Sequence, residues 1–283
     1  MTKIELTELR NSFDVKKVDY WECPSDNGVP ILTMPNIPMP LHGKGLQPRT
    51  IFGRTTWDFM RRAAYQKAGY ASEISGEVPE KGYLHSHELF SYDYARQEGV
   101  FIRCIALSKQ EHDFIHSGRL ITLYRMGNPI IPKSYLLKVV ENGFRLVHEY
   151  NEAHPDQEPL RVYATFLEYL DRDDLRDEMV ELIRKYDIKF YKEHIPKGKR
   201  WKGWHVIIGN RRYNSPYTCQ KDWERAMEEM NKQDTVRSVS SPFKGKGFDM
   251  VDEILKANVV TEIPGCKPGR LSKRKGKQNE AQE

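Results

Sequence analysis

Apolar residues recur along this chain at two spacings, and each spacing predicts a different kind of element. Over residues 55–69 they fall one helical turn apart, which predicts an amphipathic helix. Residues 83–88 and the apolar run 100–107 have the composition of β-strands, and an irregular connection is expected over residues 89–99. A further helix is expected at residues 109–116. The first half of the chain is therefore predicted to follow the order helix, strand, strand, helix.

The second half of the chain is predicted to be mainly helical. Helical spacing of apolar residues is found over residues 134–153, 159–170, 173–186, 222–232 and 249–258. Asn142-Gly143 is expected to interrupt the first of these helices. Residues 204–213, where Gly209-Asn210 separates two short runs, predict a β-hairpin.

Prolines dominate the beginning of the chain. Residues 1–50 contain six prolines. Because proline lacks a backbone donor and biases its predecessor to extended geometry, these residues are expected to form an extended arm that could wrap over a neighbouring domain or a second subunit. The predicted class is α+β, with an arm (1–50), a strand-strand-helix (ββα) domain (51–125), a mainly helical region with a small hairpin (126–233), and a linker, short helix and basic tail (234–283).

The composition is that of a globular protein with much wetted surface. A length of 283 residues favours one or two domains. The apolar share of 39% can fill a core, while 30% of the residues are charged. No apolar run approaches the roughly 18 residues that cross a bilayer, and residues 1–13 lack the apolar core of a signal peptide. We therefore expect a protein of the cytoplasm with no membrane partner.

Positive charge is concentrated in two stretches. Residues 267–277 carry six basic residues and no acid, which favours polyanion binding through counterion release or, alternatively, a solvated tail. Residues 197–217 interleave basic and aromatic residues, which can hold a phosphate backbone and stack on bases. The alternative is a hairpin whose tryptophans pack on helices while its charges lie in water. The candidate nucleic-acid-binding residues are Lys197, Lys199, Arg200, Trp201, Lys202, Arg211 and Arg212.

Histidines, not cysteines, are the candidate metal ligands. The four cysteines form no C-x-x-C pair, which argues against a disulfide framework and a cysteine zinc finger. His112 and His116 lie on one face of the predicted helix, and His87 lies on the strand expected to face it. Two imidazoles on one helical turn facing a third suit a divalent metal ion. His85 shares the strand face of His87 and is expected to be a bystander.

These histidines lie in motifs that resemble a known nuclease family. The motifs are Y-A-S-E-I-S-G from Tyr70, H-E-L-F-S-Y-D from His87 and I-R-C-I-A-L-S-K-Q-E-H-D-F-I-H-S-G-R from Ile102. Over residues 55–119 the chain resembles the HNH (His-Me finger) endonucleases, in particular their phage and bacterial subgroup. The resemblance implies a His-Me finger ββα core that binds a single divalent ion.

The activity implied by this resemblance is metal-assisted hydrolysis of phosphodiester bonds. His112 and His116 would hold the ion, and His87 would be either the general base or a third ligand. Glu88, beside His87, and Arg119, which could neutralise a phosphate, complete the candidate catalytic set. The ion could be Mg, Mn, Ni or Zn.

The chain departs from this subgroup at four positions. Where the subgroup has zinc-binding cysteines, this chain has Ser72, Ser75, Ser108 and Glu111. Serine hydroxyls do not hold structural zinc, so no structural zinc is expected. The C-terminal half of the chain is expected to supply the lost stabilisation.

Two functions of different classes follow from these observations. The first is a DNA endonuclease encoded by a phage or mobile element, acting in the host cytoplasm. The second is an HNH-derived phage protein without catalysis that binds and inhibits a host defence complex through its arm, acidic helices and aromatic hairpin. The retained histidines favour the enzyme and the missing cysteines favour the inhibitor. Convergence of His87, His112 and His116 on one point is the structural observation that bears on the choice.

Overall fold

The structure, a computed structural model, describes residues 1–42, 46–79 and 83–234, with the backbone alone over residues 230–234. The helices are α1 (Lys3–Asn11), α2 (Pro48–Lys67), α3 (Lys109–Ile115), α4 (Ser117–Arg125), α5 (Lys133–Ala153), α6 (Arg176–Lys185) and α7 (Gln220–Asp234). The strands are β1 (Val15–Val18), β2 (Tyr20–Trp21), β3 (His85–Asp93), β4 (Glu98–Leu107), β5 (Val162–Tyr163), β6 (Phe190–Glu193), β7 (His205–Ile208) and β8 (Arg211–Asn214). Short 3₁₀ helices occur at Val29–Thr33, Met39–Leu41 and Ala164–Asp171.

This mixture of helices and sheets confirms the expected α+β class. The helix expected at residues 249–258 and the basic tail at 267–277 lie outside the described residues. Among the helices that the structure describes, none combines the length and apolar character that crossing a bilayer requires.

The described strands form two sheets that share one hydrophobic core. The larger sheet has the order β2-β3-β4-β7-β8, and the smaller has the order β1-β6-β5. In the larger sheet β4 and β7 are parallel while the other neighbours are antiparallel. The smaller sheet is parallel throughout. Its strands come from distant parts of the chain, so it ties the N-terminal segment to the second half.

The centre of the larger sheet is the antiparallel hairpin β3–β4. His87 lies opposite Ile105, and Asp93 lies opposite Glu98, so a short turn at residues 94–97 joins the two strands. The irregular connection expected over residues 89–99 is therefore wrong, because most of those residues extend the strands. A register shift between Leu89 and Phe90 leaves Ile102 of β4 without a partner in β3, which bulges β4, and both Leu89 and Phe90 are buried.

The chain passes from β4 directly into α3. The Ser108 hydroxyl accepts the backbone N–H of Glu111, and the Glu111 carboxylate accepts the backbone N–H of Ser108, which makes a capping box. The helix then runs as expected to Ile115, and His116 departs from helical geometry (φ −84°, ψ 41°) before α4 begins. This short connection holds α3 against β3.

The N-terminal segment is not the extended arm that its prolines predict. It contains α1, β1, β2 and two 3₁₀ helices, and Pro30 and Pro40 each lie in the first turn of a 3₁₀ helix. A proline there loses no hydrogen bond, since the first N–H groups of a helix have no internal partner. Ile31 and Leu41 are 0% and 2% exposed. Burial of the apolar residues between the prolines explains why this segment packs into the core.

The second half is also less helical than expected. The helix α5 runs without interruption through Asn142-Gly143, and residues 159–170 form β5 and part of a 3₁₀ helix. The strand β6 has no signal in the apolar pattern and depends on pairing with β1 and β5. The expected hairpin is confirmed as β7–β8. His205 of β7 is 5% exposed, and its Nε2 lies 2.9 Å from Glu98 Oε2.

Candidate metal centre

Three histidines from two neighbouring elements converge beside the start of β3. His87 comes from β3, His112 from α3 and His116 from the residue that ends α3. One ring nitrogen of each lies within 4.8 Å of the others. The ring centroids are 5.5 Å apart for His87 and His112, and 4.6 Å apart for each of the other two pairs. The antiparallel hairpin explains this convergence, because the first residues of β3 lie beside the last residues of β4, where α3 begins.

Burial keeps the imidazoles of His87 and His116 neutral. His87 is 1% exposed, and burial, followed by the nearby His116 and His112, holds its pKa well below the ordinary value. Burial, then His112 and Arg119, lowers the pKa of His116 to about 3. A neutral imidazole has a lone pair that can bind a metal ion.

The hydrogen bonding of the trio fits a metal-binding role. Neither ring nitrogen of His87 has a hydrogen-bond partner among the described residues, and neither has Nδ1 of His112. Buried polar atoms without partners are costly in a folded protein. Ligand nitrogens of a tetrahedral site at about 2.0–2.1 Å from zinc would be roughly 3.4 Å apart, so small side-chain rotations suffice to close the present spacing. These three histidines could therefore hold a metal ion.

Two further histidines lie around the trio. The ring centroid of His85 is 4.9 Å from that of His112, and burial followed by His112 lowers the pKa of His85. His85 is only half-buried, so it lies on the solvent side of the trio. His42, from the N-terminal segment, has a pKa lowered by burial and is close enough to His116 to lower the pKa of that residue too. The sequence pattern marked His85 only as a bystander, and it did not single out His42, which lies in a proline-rich segment without periodicity.

A carboxylate beside the trio is fixed from two helices. Asp113 Oδ2 accepts hydrogen bonds from Lys109 at 2.6 Å and from the Tyr135 hydroxyl at 2.7 Å. Burial would raise the pKa of Asp113, but the neighbouring His112, followed by Lys109 and Tyr135, holds it well below its usual range. Asp113 Oδ1 lies 3.9 Å from His112 Nδ1, which is too long for a hydrogen bond. Asp113 is therefore a fixed negative charge next to the candidate ligands.

Of the other two expected catalytic residues, the structure brings only Arg119 to the histidines. Arg119 is exposed on α4 and close enough to His116 and His85 to lower their pKa values. Glu88 follows His87 in a strand, so its side chain lies on the opposite face of the sheet, at the position paired with Cys104. Burial raises the pKa of Glu88. Arg119 thus lies beside the histidines, whereas Glu88 does not join them.

The expected nucleic-acid-binding residues lie away from the histidines. The strand β7 pairs with Glu98 to Val100, whereas His87 lies opposite Ile105, so the two regions are roughly 20 Å apart along β4 at about 3.3 Å per residue. Trp204 is fully buried and Trp201 is half-buried. The basic residues of this set are all exposed, namely Lys197, Lys199, Arg200, Lys202, Arg211 and Arg212. The hairpin therefore packs a tryptophan in the core and also presents a basic surface.

The four positions where the resembled subgroup has zinc-binding cysteines lie together. The Ser72 hydroxyl donates to Glu111 Oε2 at 2.5 Å, and the same oxygen accepts the backbone N–H of Ser108 at 2.7 Å. The backbone N–H of Ser75 donates to the Ser72 hydroxyl at 3.4 Å. A hydrogen-bonded cluster thus joins the loop after α2 to the start of α3.

A set of polar contacts made by Glu73, which the sequence did not predict, lies beside this cluster. Glu73 Oε1 accepts the backbone N–H of Ala106 at 2.9 Å, and Glu73 Oε2 accepts Arg103 at 2.7 Å. The Glu73 side chain is 2% exposed. This loop is therefore held by local polar contacts, and not by the C-terminal half alone.

The centre thus combines three converging histidines, of which His87 and His116 have lowered pKa values, with the adjacent Arg119. Comparisons of the chain with protein-family profiles, with curated proteins and with solved structures find no match.

Proposed function

We propose that this protein is a metal-dependent endonuclease that hydrolyses phosphodiester bonds of DNA. The convergence of His87, His112 and His116 is the observation that carries the proposal. Their burial and lack of hydrogen-bond partners among the described residues support a metal-binding role over a packing role. The order β3, β4, α3 supports the resemblance to the His-Me finger nucleases. So does the meeting of Ser72, Ser108 and Glu111 in one cluster.

The donor set favours a transition-metal ion. Imidazole nitrogen suits Zn²⁺, Ni²⁺ and related ions, whereas Mg²⁺ prefers carboxylate and water oxygens in octahedral geometry. The trio contains no carboxylate. We therefore expect zinc or nickel to bind more tightly than manganese, and manganese more tightly than magnesium.

The residues around the ion have distinct roles in this proposal. A divalent ion held by the trio would polarise the scissile phosphate and stabilise the departing oxygen. His87 is too deeply buried to touch DNA and serves as the third ligand. The exposed Arg119 binds a phosphate oxygen, and the half-buried His85 accepts the proton of the attacking water. His85, expected to be a bystander, thus takes the role that His87 would otherwise fill.

The basic β7–β8 surface would anchor the DNA away from the scissile bond. Its distance of roughly 20 Å from the trio corresponds to about six base pairs of duplex. Contacts at that distance contribute affinity through phosphate neutralisation and carry no base specificity of their own.

The test combines metal binding with DNA nicking. Competition with a chromogenic zinc chelator should show one high-affinity site, and replacing any one of the three histidines by Ala should weaken zinc binding by roughly 100-fold. Supercoiled plasmid should be nicked by the metal-loaded protein, and His112→Ala and His85→Ala should abolish nicking. His85→Ala should do so without loss of zinc.

The matched control is His194→Ala, which removes an exposed histidine paired with Asp19 and should change neither property. Absence of a stoichiometric metal site would refute the assignment of the trio. A tight metal site without nicking under any tested ion would refute the endonuclease and favour the binding protein.

A further inference from the structure

A second candidate site lies on the opposite side of α3 from His112 and His116, beside the cluster of Ser72, Ser108 and Glu111. A cavity of about 110 Å³ lies between the loop after α2, α3 and α5. Its floor is formed by apolar side chains, including Leu32, Phe114, Val139 and Leu146. Ser75 and Glu77 are exposed and mark its mouth.

One carboxylate oxygen at this cavity has no partner. Glu111 is 6% exposed, and its Oε2 accepts the Ser72 hydroxyl and the Ser108 backbone N–H. Its Oε1 is buried and has no hydrogen-bond partner among the described residues. An unpaired buried acceptor on a carboxylate is costly, and a cationic donor would satisfy it best.

The chain's own polar groups at the cavity are already engaged. Gln110 Oε1 accepts the Asn142 side-chain amide at 2.5 Å. Arg145, the basic residue of the lining, has its Nη1 at 2.8 Å from both carboxylate oxygens of Glu149. Among the described residues, no cation of the lining pairs with Glu111 Oε1, so a cation from outside the lining would be its partner.

The dimensions and chemistry restrict what this group can be. The cavity is somewhat smaller than the roughly 150 Å³ space that holds a benzene ring, so it admits about four or five non-hydrogen atoms. A hard metal ion requires about six oxygen ligands, and the apolar floor offers none. Water can pair with the polar residues of the lining, but it gains nothing from the apolar floor. A short alkyl chain ending in an ammonium group matches both the floor and the carboxylate.

We propose that this cavity binds a primary alkylammonium group, presented either by a free amine or by a lysine side chain of a protein partner. The alkyl stem packs on Leu32, Val139 and Leu146, and the ammonium donates to Glu111 Oε1. The exposed carboxylate of Glu77 at the mouth attracts the cation before it enters. This site is independent of metal binding at the histidines.

The test titrates n-butylammonium and the neutral isostere 1-butanol into isotopically labelled protein, and follows the backbone amide signals of Ser75, Glu77 and Gly143. Butylammonium should produce saturable shifts of these signals, and butanol should bind at least tenfold more weakly. Glu111→Gln keeps the capping box, since glutamine serves at that position, but turns a donor group toward the cavity. It should weaken butylammonium binding by roughly 10- to 100-fold.

Two further variants separate charge from volume. Leu146→Phe fills the cavity and should abolish binding, with the fold checked by circular dichroism. Glu77→Gln removes an equal charge at the rim and should weaken binding less than threefold. A short peptide with one lysine that binds at least tenfold tighter than butylammonium assigns the site to a protein side chain, whereas equal or weaker peptide binding assigns it to a free amine. No saturable shift, equal binding of butanol, or undiminished binding by Glu111→Gln would overturn the proposal.

Discussion

A close contact between α3 and α5 predicts how the packing behind the histidine-bearing helix responds to an added methyl group. Gly143 in α5 faces the ring of Phe114 in α3, and a Cβ built on Gly143 would lie 2.1 Å, 2.1 Å and 2.6 Å from three of its ring carbons. Carbon atoms pack at about 3.5–4.0 Å, so the ring would have to move by roughly 1.5 Å to admit a methyl group. This explains why a glycine stands inside an otherwise continuous helix.

The surroundings of Phe114 limit that movement. Phe114 is 1% exposed, and its ring centroid lies 6.0 Å from that of Phe144 and 4.7 Å from that of Phe166. Overpacking lowers the free energy of unfolding by about 3 kcal/mol at the upper end of its usual range. Replacing a helical glycine by alanine raises it by about 1 kcal/mol, because alanine has the higher helix propensity. Gly143→Ala should therefore lower the free energy of unfolding by about 2 kcal/mol, or Tm by roughly 4–8 °C.

The assay is urea unfolding followed by circular dichroism, with Lys138→Ala as the control. Lys138 is exposed on the same helix, so its replacement should change stability by less than about 0.5 kcal/mol. Adding Phe114→Leu to Gly143→Ala should give a loss smaller than the sum of the two single losses by about 1 kcal/mol or more, because the smaller side chain makes room for the methyl group. Gly143→Ala at or above the stability of the parent protein would refute this account of the contact.

The remaining predictions concern protonation and the polar contacts of the loop after α2. In metal-free protein kept in a chelator, the stability that His116 contributes should be fully present above its unfolded pKa near 6.5 and be lost as the pH falls toward its folded pKa of about 3, because only the unfolded chain takes up the proton readily. Between these two pH values, the free energy of unfolding of the parent protein should fall with decreasing pH more steeply than that of His116→Asn, by about 1 kcal/mol per pH unit. Parallel curves of unfolding free energy against pH for the two proteins would contradict this reasoning. Glu73→Ala should cost about 2–4 kcal/mol in urea unfolding, because it leaves Arg103 and a buried backbone N–H without their acceptor. The exposed Glu77→Ala in the same loop should cost less than about 0.5 kcal/mol, and equal losses for the two variants would show that the Glu73 contacts do not stabilise the fold.

Local signals in the sequence were sufficient for some elements and misleading for others. The Ser108–Glu111 capping box and the spacing of His112 and His116 act within a few residues, so α3 lies where the pattern predicts it. The proline-rich segment at 29–41 carries an equally strong local signal for extended structure, yet it packs into the core. Proline restricts the backbone, but it does not decide whether the apolar residues around it find a core to join.

Gly143 is a second position where the local sequence signal predicts the wrong backbone structure. Beside Asn142 it predicts a break in a helix, because both residues favour turns. In the structure it fits the Phe114 ring, so tertiary packing stabilises a helix that local preference weakens. The strand β6 and the burial of His205 likewise depend on partners far away in the chain.

The sequence by itself determined the α+β class, the hairpin followed by a helix, and the three histidines that could hold an ion. These features depend on the periodicity of apolar residues and on residue types a few positions apart, and both can be read directly from the order of the residues. Only the tertiary structure decided that the three imidazoles meet, that Glu88 does not join them, and that Glu111 has a free oxygen at a cavity. Those facts depend on strand register and on packing between distant segments, which are decided by burial in the folded chain as a whole.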